Sequence, residues 1–522
     1  MSPGPDPATP RKSSAKVRQA CDLCHARKEA RGFLGGSSIV NRRCRSIQAN
    51  TNINTSINTS TNTSTNTSTN TQASPSRVSA NIQDNFLCPT RDMEWCVNAW
   101  YKYKYAITPI LYRQQTQECL QTYSVSPKNY ALLMSCCAII ADSPDILPPK
   151  PSPASPMAFT TPSPTYAPNL PPPEYCISEV LRARHFYTVA EGPSLADVQT
   201  SFFLYCYYFC AENDKAAWFY LREAMTALET VRLHEEETYA HMTDVLVATY
   251  SRRMFWTLFI TERAYALQRH RPLTLQCTLD LPRVDPSSPD ADILPGFLDL
   301  ISLFRHFDTD FVATWNCSVT SSLSAAGEPA QLQRLQGLLR DALPGVAERS
   351  ETQQADLLIS RQWLKVIVWK LCVSRTLLSG TDSEDSMSLS YPSSIAREMV
   401  LISRLLPAAA LEANGIGILE KVFDVGCSLA DLLSLDPASN LWSAMDMSLD
   451  TLMETVKIVG TTFGGSYKHL DILIDKANLC LMQSVDRGLP LPADALQRQQ
   501  QQQRQQQQQQ EQQQQKQVEE IE

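Results

Sequence analysis

The sequence predicts an all-α protein, and three observations carry that reading. Nowhere does it run in the long β-branched alternation of half-buried strands. Apolar residues instead recur at three- and four-residue spacing, most clearly from Ser251 to about His270. Finally, VQTSFFLYCYYFCAE and WLKVIVWKLCVSRTLL are apolar around most of a helical circumference and too long for ordinary strands. A large helical domain is expected over residues 92–487, preceded by a small head at 18–51 and flanked by disordered tails.

Charge separates the head from the body. The chain has 46 Lys+Arg and 54 Asp+Glu, a net charge of -8. Residues 1–45 hold ten basic residues against three acids, or +7, so the remainder carries -15. A basic head on an acidic body points to a polyanionic partner for the head alone. Residues 1–17 contain little that could be buried and are expected to be disordered. The first residues lack the apolar stretch of a signal peptide, and no run approaches the roughly 18–20 apolar residues of a membrane span. The expectation is an intracellular protein with no membrane partner and with its 16 cysteines reduced. Residues 52–91 are Asn/Thr/Ser repeats that form a polar tether without heptads.

In the body, 93–115 and 130–142 suit helices. A proline-rich excursion at 143–173 comes next, a plain surface loop or a P-x-x-P partner site. Helices resume at 174–190, 195–211 and 217–234. Val198, Phe202, Cys206 and Cys210, at four-residue spacing, are expected as core. In the next helix Phe255, Leu258, Phe259, Tyr265 and Ala266 form the stripe, while Met254, Trp256, Ile260 and Ala264 make its other faces apolar. Pro272 should end it by His270, and Pro282 and Pro286 keep the segment beyond it extended. Later helices are placed at 297–306, 330–342, 359–378, 394–413 and 418–435. Asp382–Asp385 is a solvated loop, and residues 488–522 are a glutamine-rich disordered tail.

Charges inside the helix that starts at Ser251 stand out. Glu262 and Arg263 sit among bulky apolar residues, and Arg269, His270 and Arg271 crowd its end. One reading is a buried ion pair with a basic terminus that complements the helix dipole. The other is a small-molecule effector pocket lined by Glu262 and Arg269. No phosphate loop, HExxH or GxSxG is present and the seven histidines are dispersed, so the chain is not read as an enzyme.

Two strings, FWTLFITERAYALQRHRPLTL and AWFYLREAMTALETVRLH, resemble the regulatory domain of fungal zinc binuclear-cluster transcription factors. The likeness is strongest to the branch that activates starch and maltose use, and covers roughly Met93 to Asp310. RQACDLCHARKEAR likewise resembles the opening half of the six-cysteine cluster of that family. The resemblance implies a nuclear regulator of RNA polymerase II genes, two zinc ions, DNA as partner, and contacts with the transcription machinery or co-regulators. It assigns Cys21, Cys24 and Cys44 to metal, Arg27 and Lys28 to the major groove, and Lys16 and Arg18 to phosphates.

The ligand set departs from that pattern. Arg31 stands where the third cysteine belongs, Asn41 at the fourth position and Thr51 near the sixth, and Ala30 replaces a usual basic residue. One zinc would keep Cys21 and Cys24, the other Cys21 and Cys44. A structural zinc site needs four ligands, and binding of roughly 10–16 kcal/mol is what folds such small domains. The head is therefore expected to be unfolded, whether through a misplaced exon boundary or genuine loss. The alternative to a DNA-reading factor is a regulatory or interaction module derived from one.

Overall fold

The computed structural model describes residues 88–146, 170–316, 329–375, 386, 388–435, 442–462 and 467–486, all within one compact unit of residues 83–522. The head, the linker up to residue 87, most of the proline-rich excursion, the 382–385 loop and the glutamine tail lie outside the described residues, and the first helix begins at Thr90, inside the 52–91 stretch read as linker. Among the described residues there are seventeen α-helices and no strand, as the apolar periodicity predicts.

The stretch expected as one helix at 93–115 is two. Helix α1 (Thr90–Ala99) runs into a π-helical turn at Trp100–Lys104. The chain then extends through Pro109, whose ring forbids a continuing helix, before α2 (Arg113–Thr122) begins. The hydroxyl of Ser126 accepts from the Asn129 amide and starts α3 (Pro127–Ala141), with Pro127 where its missing N–H costs nothing. Helix α4 (Pro173–Arg184) begins on a proline in the same way, and ends earlier than the 190 expected from sequence. A capping box of Ser194 and Asp197 opens α5 (Leu195–Cys210). Asn213 caps α6 (Asp214–Thr230), and a short α7 (Glu236–Ala240) precedes the long α8 (Val245–Arg269). Phe202 and Val198 are buried and Cys206 and Cys210 half-buried, all in helix packing.

Asp244 caps α8 by accepting from the Leu246 and Val247 amides, so the helix begins six residues before the Ser251 read from sequence. It stops at Arg269, and His270 takes left-handed angles (φ 53, ψ 55). Met254, Phe255, Leu258, Phe259 and Ala266 are 0% exposed, so almost the whole circumference is in the core. Each of the large side chains among them contributes about 1.5–3 kcal/mol by leaving water.

The second half continues with α9 (Leu294–Phe304), α10 (Thr309–Asn316), α11 (Pro329–Asp341), α12 (Glu351–Ser374), α13 (Tyr391–Leu405), α14 (Ala408–Glu412), α15 (Ile416–Leu435), α16 (Trp442–Thr461) and α17 (Leu470–Asp486). Pro407 breaks the expected 394–413 helix in two. Helices α3, α4, α5 and α6 pack as one group, while α12, α13, α15, α16 and α17 form another. Helix α8 lies against α5 and α6 on one side and α9 and α10 on another, and α9 in turn packs on α12.

Candidate functional site

A helix buried on nearly all sides must neutralise any charge it carries, and α8 does so differently in its two halves. In the first, Tyr250 and Arg253 meet Tyr105 and Asp290. The hydroxyls of Tyr105 and Tyr250 are 2.6 Å apart and lie 2.9 and 3.0 Å from Asp290 Oδ2. Arg253 Nη1 donates to the same oxygen at 2.7 Å. Burial and the neighbouring Tyr250 push the Tyr105 hydroxyl well above its usual range, so it stays a proton donor. One carboxylate thus serves three buried donors.

The far end is built around Glu262, Arg263 and Arg269. Pro272 sends the chain back along α8, which brings the Thr274 and Leu275 amides to the Glu262 carboxylate at 2.8 and 3.0 Å. The Thr274 hydroxyl adds a third bond of 2.7 Å, and Arg222 Nη1 approaches to 3.6 Å. Burial raises the Glu262 carboxyl above its ordinary value despite these bonds. Glu262 is thus mainly a clamp on the returning backbone, held by amides rather than by its neighbour Arg263. Arg263 donates to the Phe259 and Leu275 carbonyls at 3.3 and 3.2 Å and lies over the Phe259 ring. Burial without a bonded carboxylate pushes its guanidinium down to about 10.

Arg269 ties the two helical groups together. Its Nη1 and Nη2 grip Glu420 of α15 at 2.9 and 3.2 Å, and its Nε donates to Asp214 of α6 at 3.0 Å. Burial works against its charge, but Glu420 and Asp214 more than offset that and hold it above the usual guanidinium range. The same seam is closed elsewhere by neutral and charged donors. Gln353 Nε2 of α12 donates to the Ala106 and Ile293 carbonyls at 3.0 and 2.8 Å. Lys104 bonds Asp145 and the Ala413 carbonyl, each at 3.0 Å. Beside Gln353 is a cavity of about 10 Å³ lined by Ala106, Ile107, Gly296, Phe297, Leu300 and Leu357, about the space one water occupies.

The two residues singled out as an effector pocket are therefore placed on one helix with separate partners. Glu262 serves the 274–275 backbone, and Arg269 serves Asp214 and Glu420. Sequence reasoning missed Asp290, Tyr105 and Glu420, whose partners on α8 are 37, 148 and 151 residues away. Nothing periodic marks such partners. The cysteines Cys21, Cys24 and Cys44, and Lys16, Arg18, Arg27 and Lys28, lie outside the described residues. Among the described residues no group of three or more His, Cys, Asp or Glu could hold a metal ion. No helix there is long and apolar enough to cross a membrane.

Residues 104–304, from the π-helical turn to the end of α9, match the model of the fungal specific transcription factor domain. The chain is similar to the probable sucrose utilization protein SUC1 of Candida albicans, with 25% identity over 54% of this chain and 55% of that protein. It is similar to the maltose fermentation regulatory protein MAL13 of Saccharomyces cerevisiae at 22% identity, over 47% of this chain and 50% of that one. The respiratory transcription factor ZNF1 of the same yeast is 22% identical over 50% of this chain and 54% of its own. The chain thus spans about half the length of the curated relatives it matches. No solved structure matches it. Over residues 104–304 the helical body is thus similar to the fungal specific transcription factor domain, and the relatives it resembles are named as a sucrose utilization protein, a maltose regulatory protein and a transcription factor.

Proposed function

We propose that this chain is a nuclear regulator of transcription that controls genes of carbohydrate use. The observation that carries the reading is the domain match at 104–304 together with relatives named for sucrose and maltose use. The helical body is the regulatory part. Its two helical groups are fastened by Arg269, Gln353 and Lys104, so a ligand or partner that loosens these ties alters both groups at once. Glu262 and Arg269 are the residues such an effector would reach, by displacing their more exposed partners Arg222 and Asp214. Disrupting the gene and profiling transcripts during growth on maltose or sucrose tests the assignment. Unchanged expression of sugar-uptake and glycoside-hydrolysis genes would overturn it.

The family's zinc cluster does not fit the donor set in the head. Three thiolates, Cys21, Cys24 and Cys44, cannot close two tetrahedral sites even with sharing. The basic head still attracts DNA through Lys16, Arg18, Arg27 and Lys28, with a Kd on the order of 10⁻⁴ to 10⁻⁶ M and no sequence preference. This favours a second reading, in which the chain regulates without reading DNA itself and competes with intact relatives for co-regulators or effector. Zinc content separates the two. About two metal ions per chain restores the DNA-reading form, and none leaves the module that acts through its body.

A further inference from the structure

Three arginines crowd the corner where α6 meets the end of α8, and they are provided for unequally. Arg269 has two carboxylates, with three bonds of 2.9–3.2 Å to Glu420 and Asp214. Arg222 of α6 and Arg271, two residues past α8, have none in bonding contact. Arg222 Nη1 donates to the Thr274 hydroxyl at 2.6 Å, but its carboxylate neighbour Glu262 stays 3.6 Å away. That gap exceeds a hydrogen bond. Its cause is competition, since Glu262 already accepts from the Thr274 amide, the Thr274 hydroxyl and the Leu275 amide at 2.7–3.0 Å. Arg271 is poorer still. Among the described residues no acidic side chain pairs with it, and its Nε is buried without a hydrogen-bond partner.

Both cations lean on one indole instead. The guanidinium carbons of Arg222 and Arg271 lie 5.7 and 5.3 Å from the centre of the Trp218 ring, so they are no more than about 11 Å apart. Trp218 is itself fixed by stacking on Tyr265 of α8, with 5.6 Å between centroids and 9° between planes. The backbone of Arg271 is held at both polar groups. Its amide donates to the Ala266 carbonyl at 3.2 Å, and its carbonyl accepts from Asn316 Nδ2 of α10 at 2.9 Å. The frame is thus fastened while two charged heads are left with an aromatic face, which attracts a cation more weakly than a bonded anion does. The corner also meets solvent: the Arg222 side chain is 33% exposed, Trp218 and Arg271 are half-buried, and Thr274 is exposed.

We propose that Arg222 and Arg271 form a binding site for a phosphate group, taken either as the free ion or as a monoester. A carboxylate has one charge and two oxygens in a plane, which a single guanidinium satisfies. Two guanidiniums on separate elements require a tetrahedral oxyanion with a charge of about -2 and several free oxygens. Each arginine donates N–H to its own oxygen, and the two positive charges are cancelled. Arg222 then leaves Glu262, which keeps its three bonded donors, so the returning backbone stays clamped. The occupied site bridges α6 to the segment after α8. It rests on the effector reading above, in which Arg222 is the partner that gives way, and gives that effector a chemical class.

Isothermal titration of the full chain with inorganic phosphate and with glycerol 3-phosphate, against chloride at matched ionic strength, tests the site. The expected result is a Kd below about 1 mM for both phosphates and no binding of chloride. Arg222→Gln and Arg271→Gln should each weaken binding about tenfold or more, and Arg222→Lys, which keeps the charge but loses the fork, should fall between. Tighter binding of glycerol 3-phosphate assigns the site to a phosphorylated metabolite, and tighter binding of inorganic phosphate assigns it to the free ion. Absence of binding to the unsubstituted chain overturns the proposal, as does undiminished binding by the glutamine variants. If Arg271→Gln unfolds the chain, the unsubstituted protein and Arg222→Gln, whose side chain is one-third exposed, decide the matter. Transcript profiling fails separately: unchanged sugar-use genes would remove the carbohydrate assignment and leave phosphate binding standing.

Discussion

The two halves of α8 solve the same problem with opposite economies. Its first half places one carboxylate, Asp290, under three donors and keeps Arg253 and both tyrosines inside the core. Its far end spreads charge outward. Arg269 reaches Glu420 and the half-exposed Asp214, Glu262 turns to backbone amides, and Arg263 makes do with carbonyls and an aromatic face. Removing a shared acceptor from the first arrangement strands several groups at once. Removing one partner from the second leaves others to take over. The difference says which end tolerates the loss of a single partner better.

The largest effect is expected at Asp290. Asp290→Ala leaves Arg253 buried without its counter-charge and should destabilise the protein by about 3–5 kcal/mol, read from urea unfolding. A loss below that of the next variant would reverse the ranking of the two ends. Glu420→Ala leaves Arg269 with Asp214 and should cost about 1.5–3 kcal/mol in the same assay. The seam between the helical groups gives an independent comparison. A Cβ at Gly296 would lie 2.5 Å from the Gln353 side chain, which donates to the Ala106 and Ile293 carbonyls. Gly296→Ala should therefore destabilise by about 1–3 kcal/mol through displaced Gln353, and Gln353→Ala should relieve the crowding in the double variant.

The smallest effect concerns pH. Burial, helped by Arg305 and Arg334, lowers His306 from its usual 6.5. The folded protein thus binds this proton less readily than the unfolded chain. His306 contributes stability that is present above pH 6.5 and lost as pH falls through its lowered folded value. His306→Gln should flatten that part of the stability profile, measured by thermal unfolding between about pH 5 and 7. An unchanged slope would remove His306 from the account.

What the sequence made legible was local. The stripe of Phe255, Leu258 and Phe259 and the stop before Pro272 come from periodicity and from a missing amide proton, and both are in the structure. Glu262 is conspicuous in the sequence as a charge among apolar residues, yet its role depends on where Thr274 and Leu275 return, which no spacing encodes. The same holds for Arg269, since Glu420 lies on a helix of the other group. Boundaries slipped where a single residue overrides a pattern: Pro109 splits the first helical stretch, Pro407 divides a later one, and Asp244 starts α8 early. Helices α16 and α17 were not placed from the sequence, although Asp450 and Asp475 are exposed while Leu449, Leu452, Leu473 and Ala477 are buried.

The grip of Arg269 on Glu420 has a practical consequence for anyone wishing to excise the domain. The family match ends at residue 304, but the guanidinium's bidentate acceptor lies at 420 and the Gln353 amide that ties down Ala106 lies between them. A fragment cut at 304 would shed α12 and α15 and bare the underside of α9. Autonomy in this molecule therefore resides in a longer piece than the recognisable one, and a severed regulatory fragment would owe its failure to missing scaffolding rather than to a missing signal.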